Sequence, residues 1–175
     1  MKKFDTSLYL ITDSSVEPDE MLKKVAQAIE GGVTMLQLRE KSGTTRDMLD
    51  IAIRLHEVTK SYNVPLIIDD RIDVALAVDA EGVHLGKEDM PIATARKILG
   101  EDFIIGSTVN TFEDIEATLR GATPDYFGCG PFRYTTTKQN LAPTLGVEGY
   151  RAIVAQMRKH NISIPIVAIG GITKA

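Results

Sequence analysis

Short apolar runs alternate along this chain with longer stretches in which apolar residues recur every three or four positions. Leu8 to Ile11 predicts a first strand. Asp19 to Glu30 predicts a helix with Leu22, Val25, Ala26 and Ile29 on one face, closed by Gly31-Gly32. Val33 to Leu38 reads as the second strand, and Thr45 to Lys60 as a long helix whose stripe includes Leu49, Ala52 and Ile53. Strands three to seven are expected at Pro65 to Ile68, Gly82 to Leu85, Phe103 to Gly106, Tyr126 to Cys129 and Ile164 to Ile169. Helices separate them at Ile72 to Val78, at Ile92 to Leu99 behind Pro91, from Thr111 to about Arg120, and at Val147 to His160. Thr111 has the side chain of a helix cap, and Glu113 and Asp114 suit the first turn that follows it.

Unbroken apolar runs such as Pro65-Leu66-Ile67-Ile68 belong to strands covered on both faces, hence to a parallel sheet. Repeated strand-helix units with short connections, and no dinucleotide fingerprint, favour a TIM (β/α)8 barrel over a doubly wound sheet. Residues 1–175 form a single domain on this reading. The chain ends soon after Gly170-Gly171, where a barrel should still need an eighth strand and helix. The expectation is therefore a barrel truncated after strand seven, with two unpaired edges that an absent segment or another chain would close. The interval from Gly130 to Gly146 stands apart. It is polar, rich in threonine and longer than a structural connection needs, which suits a lid or wall over a site.

Composition narrows the partners. Twenty basic and 24 acidic side chains give a net charge of -4, with no basic block suited to nucleic acid or an anionic membrane. Nothing approaches the roughly 18 consecutive apolar residues of a membrane span. The single cysteine, Cys129, excludes an internal disulfide and, with no signal peptide, points to a cytoplasmic setting.

The strand ends carry the chemistry. Alternation places Met35, Gln37 and Arg39 on one face of the second strand and Leu36 and Leu38 on the other. Leucines suit the helix-covered outside, so Gln37 and Arg39 belong at the interior mouth with Lys41 just beyond. A guanidinium there needs an anion, and its rigid fork suits phosphate; the bland alternative is a surface pair with Glu40. Asp69 and Asp70 end the third strand, and Asp89 follows the fourth. Carboxylates from neighbouring loops beside a diphosphate suit Mg²⁺, which takes hard oxygens and keeps waters. Asp70 pairing with Arg71, or Asp89 capping the helix after Pro91, would be structural uses of the same residues. His84 reads as a core or supporting histidine and Cys129 as a small buried filler. Thr135-Thr136-Thr137-Lys138 is either a solvated loop or a cover for a diphosphate. The amides of Gly170-Gly171 suit phosphate.

Taken in order, these segments resemble the thiamine-phosphate synthase family. The likeness is carried by Leu8-Tyr9-Leu10-Ile11-Thr12-Asp13, Gln37-Leu38-Arg39-Glu40-Lys41, Ile67-Ile68-Asp69-Asp70-Arg71, Gly82-Val83-His84-Leu85-Gly86 with Asp89, Ile105-Gly106-Ser107, Thr135 with Thr137-Lys138, and Ala168-Ile169-Gly170-Gly171. The resemblance implies condensation of 4-amino-5-hydroxymethyl-2-methylpyrimidine diphosphate with a thiazole phosphate, through a pyrimidine cation and with Mg²⁺. It implies that Arg39, Lys41 and Lys138 contact the diphosphate, Asp70 and Asp89 hold the metal, and Gln37 and Ser107 position the pyrimidine. Thr135, Thr137 and Gly171 would take the thiazole phosphate, and a homodimer is the implied assembly. Asp69 departs from the asparagine typical of the family. Its extra charge is repulsive to a diphosphate unless protonated, metal-bound or paired. The alternatives are a thiazole tautomerase, which uses a histidine where this chain has Cys129-Gly130-Pro131, and a non-catalytic phosphate-binding protein.

Overall fold

The computed structural model describes residues 4–135 and 142–173. Seven parallel strands lie in chain order: β1 (Tyr9–Ile11), β2 (Met35–Leu38), β3 (Leu66–Asp69), β4 (Gly82–Leu85), β5 (Ile104–Val109), β6 (Tyr126–Cys129) and β7 (Ile166–Ala168). Among the described residues six helices alternate with them: α1 (Pro18–Glu30), α2 (Thr45–Ser61), α3 (Ile72–Ala77), α4 (Ile92–Leu99), α5 (Phe112–Gly121) and α6 (Gly146–Lys159). Each strand pairs in parallel with the next, and the sheet curls into a near-barrel. The curl brings Tyr9 of β1 to Tyr126 of β6, their hydroxyls 2.8 Å apart, and sets Val167 of β7 against the same interior cluster.

The strands are buried on both faces, as their apolar runs require. Leu36, Leu38, Leu66, Ile68, Val83, Leu85 and Ile105 point outward into one core beneath the first helices. Val109, Phe127 and Cys129 do so beneath α5 and α6. Met35, Ile67, Ile104 and Tyr126 fill the interior with Phe4 and Tyr9. Each fully buried Leu, Ile or Val contributes about 2 kcal/mol. Two helices begin with a reciprocal cap, Thr44 with Asp47 and Thr111 with Asp114.

At the N-terminal end of the barrel, a polar side chain immediately before each even-numbered strand fastens the preceding strand. Thr34 accepts from the Leu8 amide at 3.0 Å, Glu81 from the Leu66 amide at 2.8 Å, and Asp125 from the Ile105 amide at 2.7 Å. The two carboxylates reach further. Glu81 bonds the buried His56, and Asp125 bonds Arg96, whose other nitrogen donates to the Phe103 carbonyl. Fastening here leaves the opposite end open for chemistry.

Strand limits differ from the periodicity at one consequential place. β5 continues to Val109 rather than stopping at Gly106, so the strand alternation carries through Ser107 and Thr108.

Candidate active site

At the C-terminal end of β2, the Arg39 amide donates to the Thr12 hydroxyl at 2.9 Å, which fixes where the guanidinium leaves the chain. That guanidinium turns toward Asp69, Nε to Oδ2 3.7 Å, while Glu40 is taken up by the Ser42 and Gly43 amides. The surface pair of Arg39 with Glu40 is thus absent. Lys41 bridges both β3 carboxylates, reaching Asp69 at 2.8 Å and also bonding Asp70. Arg71 is engaged by Asp73 and leaves Asp70 to the site.

Backbone conformation separates the two aspartates. Asp70 has φ of 60°, a left-handed conformation that aspartate tolerates, and its amide donates to the His84 carbonyl at 2.9 Å. Asp69 stays in the strand, facing inward and buried. Desolvation raises the Asp69 pKa, against the bond from Lys41. Desolvation acts the same way on Asp70, but bonds from Lys41 and Asp89 prevail and hold it low. Asp89 is raised, first by desolvation and then by Asp70 beside it. The two neighbouring carboxylates thus hold their protons unequally, Asp89 the more tightly.

Asp89 does not cap α4. Pro91 occupies that cap position without a side-chain bond, and Asp89 accepts from the Gly86 amide at 2.7 Å. A Cβ on Gly86 would lie 2.7 Å from the same carboxylate oxygen, so glycine is what lets the loop close on it. Among the described residues no group of three or more His, Cys, Asp or Glu side chains gathers as a metal cage. The Asp70–Asp89 pair offers two hard oxygen donors, which fits Mg²⁺ better than a metal demanding an all-protein cage.

Gln37 is buried at the mouth and donates to the Tyr9 hydroxyl at 2.8 Å. Ser107 lies one residue off the inward face of β5. It shares its strand face with Ile105 and Val109, which pack outward, and with Thr108, Gly86 and Asp89 it lines a cleft of about 380 Å³. The inward hydroxyl of β5 is that of Thr108, 2.9 Å from His84 Nε2. The signal was in the sequence. Ile104 and Gly106 face inward, Gly106 opposite His84 and Tyr126, and once β5 is extended, parity selects Thr108. Tyr9, His84 and Tyr126 also face this interior. His56 and His160 do not, the first bonding Glu81 and the second packing on Phe112. Cys129 is buried, and desolvation raises its thiol to about 11.

The long segment after β6 runs beside the end of β7. The Phe132 amide donates to the Ile169 carbonyl at 2.8 Å and the Arg133 amide to that of Gly170 at 2.9 Å. Gly171, at φ of 67°, abuts Arg133 and the Tyr134 carbonyl; a Cβ there would lie 2.8 Å from both. Thr135 follows directly. Thr137 and Lys138 lie outside the described residues.

The sequence signature of a family described as thiamine monophosphate synthase matches residues 8–175. A thiamine-phosphate synthase of Phocaeicola vulgatus is 53% identical over 146 residues, covering 83% of this chain and 70% of that protein. One from Clostridium novyi is 51% identical over 169 residues, 95% of this chain and 79% of the relative. Among solved structures, a thiamine phosphate pyrophosphorylase from Pyrococcus furiosus superposes with a TM-score of 0.79 at 43% identity, covering 96% of this chain and 76% of its own. By sequence signature, by relatives and by fold, the chain belongs to the thiamine-phosphate synthase family.

Proposed function

We propose that this barrel joins 4-amino-5-hydroxymethyl-2-methylpyrimidine diphosphate to 4-methyl-5-(2-phosphoethyl)thiazole, giving thiamine phosphate and diphosphate. The observation that carries the reading is the convergence of Arg39, Lys41, Asp69, Asp70 and Asp89 at one end of the barrel. Breaking the bond between the pyrimidine methylene and its diphosphate needs a sink for the departing negative charge. Arg39 and Lys41 supply it from β2, and Lys138 is proposed to supply more from the loop after β6. Asp70 and Asp89 would hold Mg²⁺, which when bound neutralises diphosphate oxygens. Gln37 orients the pyrimidine. Thr108 takes the role of hydroxyl donor from β5 that parity denies to Ser107. Thr135, Thr137 and Gly171 are proposed to receive the thiazole phosphate, in keeping with the contact of Gly171 with Arg133 and Tyr134.

The extra charge of Asp69 is met by pairing. With Lys41 at 2.8 Å and Arg39 at 3.7 Å, it occupies cations that a diphosphate would otherwise claim. The reading includes a cytoplasmic setting, in keeping with one buried thiol, and a homodimer, carried by family resemblance alone. Among the described residues no helix is long and apolar enough to cross a membrane. The test is a two-substrate assay with and without Mg²⁺, scored for thiamine phosphate. Diphosphate release only when both substrates and the metal are present is expected. Binding of the pyrimidine diphosphate without turnover would assign the chain to the non-catalytic alternative.

A further inference from the structure

Five polar side chains cross the barrel interior in an unbroken line. Gln37 Nε2 donates to Tyr9 Oη at 2.8 Å, and Tyr9 Oη lies 2.8 Å from Tyr126 Oη. Tyr126 Oη is 3.0 Å from His84 Nδ1, and His84 Nε2 is 2.9 Å from Thr108 Oγ1. The line uses β2, β1, β6, β4 and β5, and its two ends are Gln37 and Thr108, the residues proposed above to meet the pyrimidine diphosphate. Two glycines hold the route open. A Cβ on Gly106 would collide with the Tyr126 ring and lie 2.6 Å from His84 Nδ1; one on Gly128 would lie 2.8 Å from His84 Cε1. The Tyr126 and His84 rings, centroids 5.5 Å apart, fill the space that these glycines vacate.

With Gln37 donating through Nε2, one direction of donation satisfies the line. The Tyr9 oxygen accepts from Gln37, so its own proton needs an acceptor, and among the described residues Tyr126 is the one in reach. Were Tyr126 to donate to Tyr9 instead, a buried phenolic proton would be stranded, a loss larger than any bond gained. Tyr126 therefore passes its proton on to His84 Nδ1. His84 then carries its proton on Nε2 and gives it to Thr108. Thr108 keeps its acceptor side occupied and presents a hydroxyl proton to the mouth. At the other end, one Gln37 N–H is committed to Tyr9, leaving its second N–H and its carbonyl oxygen as an adjacent donor and acceptor. That pair complements an aminopyrimidine edge, which offers an amino donor beside a ring-nitrogen acceptor.

We propose that Tyr9, Tyr126 and His84 form a directional hydrogen-bond relay that fixes Thr108 as a donor and Gln37 as an edge reader, making the three of them positioning residues for the condensation. The assignment of the two ends rests on the functional reading above; the direction of the relay does not. The relay moves no net proton during turnover. Its work is done in advance, because a Thr108 hydroxyl already aimed outward can meet developing diphosphate charge without reorganising.

The test uses the whole chain labelled with ¹⁵N-histidine, the three imidazoles being told apart with a His84→Gln variant. In the free protein, His84 is expected as the neutral Nε2–H tautomer, and Tyr126→Phe should abolish that preference. An Nδ1–H tautomer in the unsubstituted protein overturns the relay outright, with no assay and no variant fold involved. In turnover, Tyr126→Phe should lower kcat about tenfold while KM for the pyrimidine diphosphate moves less than about threefold. Tyr9→Phe, which severs the Gln37 end, should shift the burden to KM. Unchanged kcat in a folded Tyr126→Phe protein defeats the positioning role. Absence of thiamine phosphate formation by the unsubstituted protein would defeat the functional reading instead, and the tautomer would still decide the relay's direction.

Discussion

Asp69 is poised against its own neighbours. Its carboxylate draws Lys41 and Arg39 inward, so the substrate must compete with a side chain for the cations that bind it. Asp69→Asn removes the competitor while keeping the shape. Ion pairs of this partial exposure are worth about 1 kcal/mol, so KM for the pyrimidine diphosphate should fall about fivefold by steady-state assay. A rise in KM would show that Asp69 serves the ligand directly. Asp89 is the converse case. Asp89→Asn keeps an oxygen for the Gly86 amide and removes the charge, so kcat should fall by a factor on the order of 100 while Tm moves by no more than about 2 °C. Equal turnover at saturating Mg²⁺ would take Asp89 out of the metal site.

Helix α5 shows how one side chain serves an element. The Asp114 carboxylate accepts from the Asn110 amide at 2.8 Å and the Thr111 amide at 3.1 Å, and it pairs with Lys87 from the loop after β4. Desolvation pushes its pKa up, but Lys87 and the two amides prevail and hold it below 3.8. A carboxyl depressed on folding adds stability above its unfolded pKa and loses it as pH falls through the lower folded value. Asp114→Asn should therefore lower Tm by about 3 °C at pH 7, and the gap to the parent should close below about pH 3.8. Thermal melts across that range check the sign. The cap at Thr111 was legible because threonine before two acids at a helix start has few other uses. Its twin at Thr44 escaped notice because the helical period begins at the next residue. Strand and helix succession were equally legible, since apolar runs buried on both faces mark a parallel sheet and short connections favour a barrel over a doubly wound one. The continuation of β5 past Gly106 was hidden because two polar residues, Ser107 and Thr108, come before the next apolar one, Val109. The relay itself was hidden. Tyr9, Tyr126 and His84 are distant in sequence, and only the curl of the sheet makes them neighbours.

The two ends of the barrel divide the labour. At the C-terminal end the ion pairs of Lys41 and Arg39 involve residues proposed to meet substrate, whereas at the other end Asp125 holds the Ile105 amide and Arg96 for the sake of the frame. Asp125→Ala leaves a half-buried guanidinium and a buried amide without that partner, a loss of about 3 kcal/mol. Tm should drop by about 8 °C while kcat measured at 25 °C stays within about twofold. A kcat loss matching the melting loss would mean that the ends are mechanically coupled. The clasps at Thr34, Glu81 and Asp125 each tie an odd strand to the even strand that follows. This grouping has a use in recombination. A chimera with a relative that swaps β3 with β4, or β5 with β6, inherits both halves of a clasp from one parent. A crossover inside either couple marries a carboxylate from one parent to an amide from the other, and such hybrids should melt first.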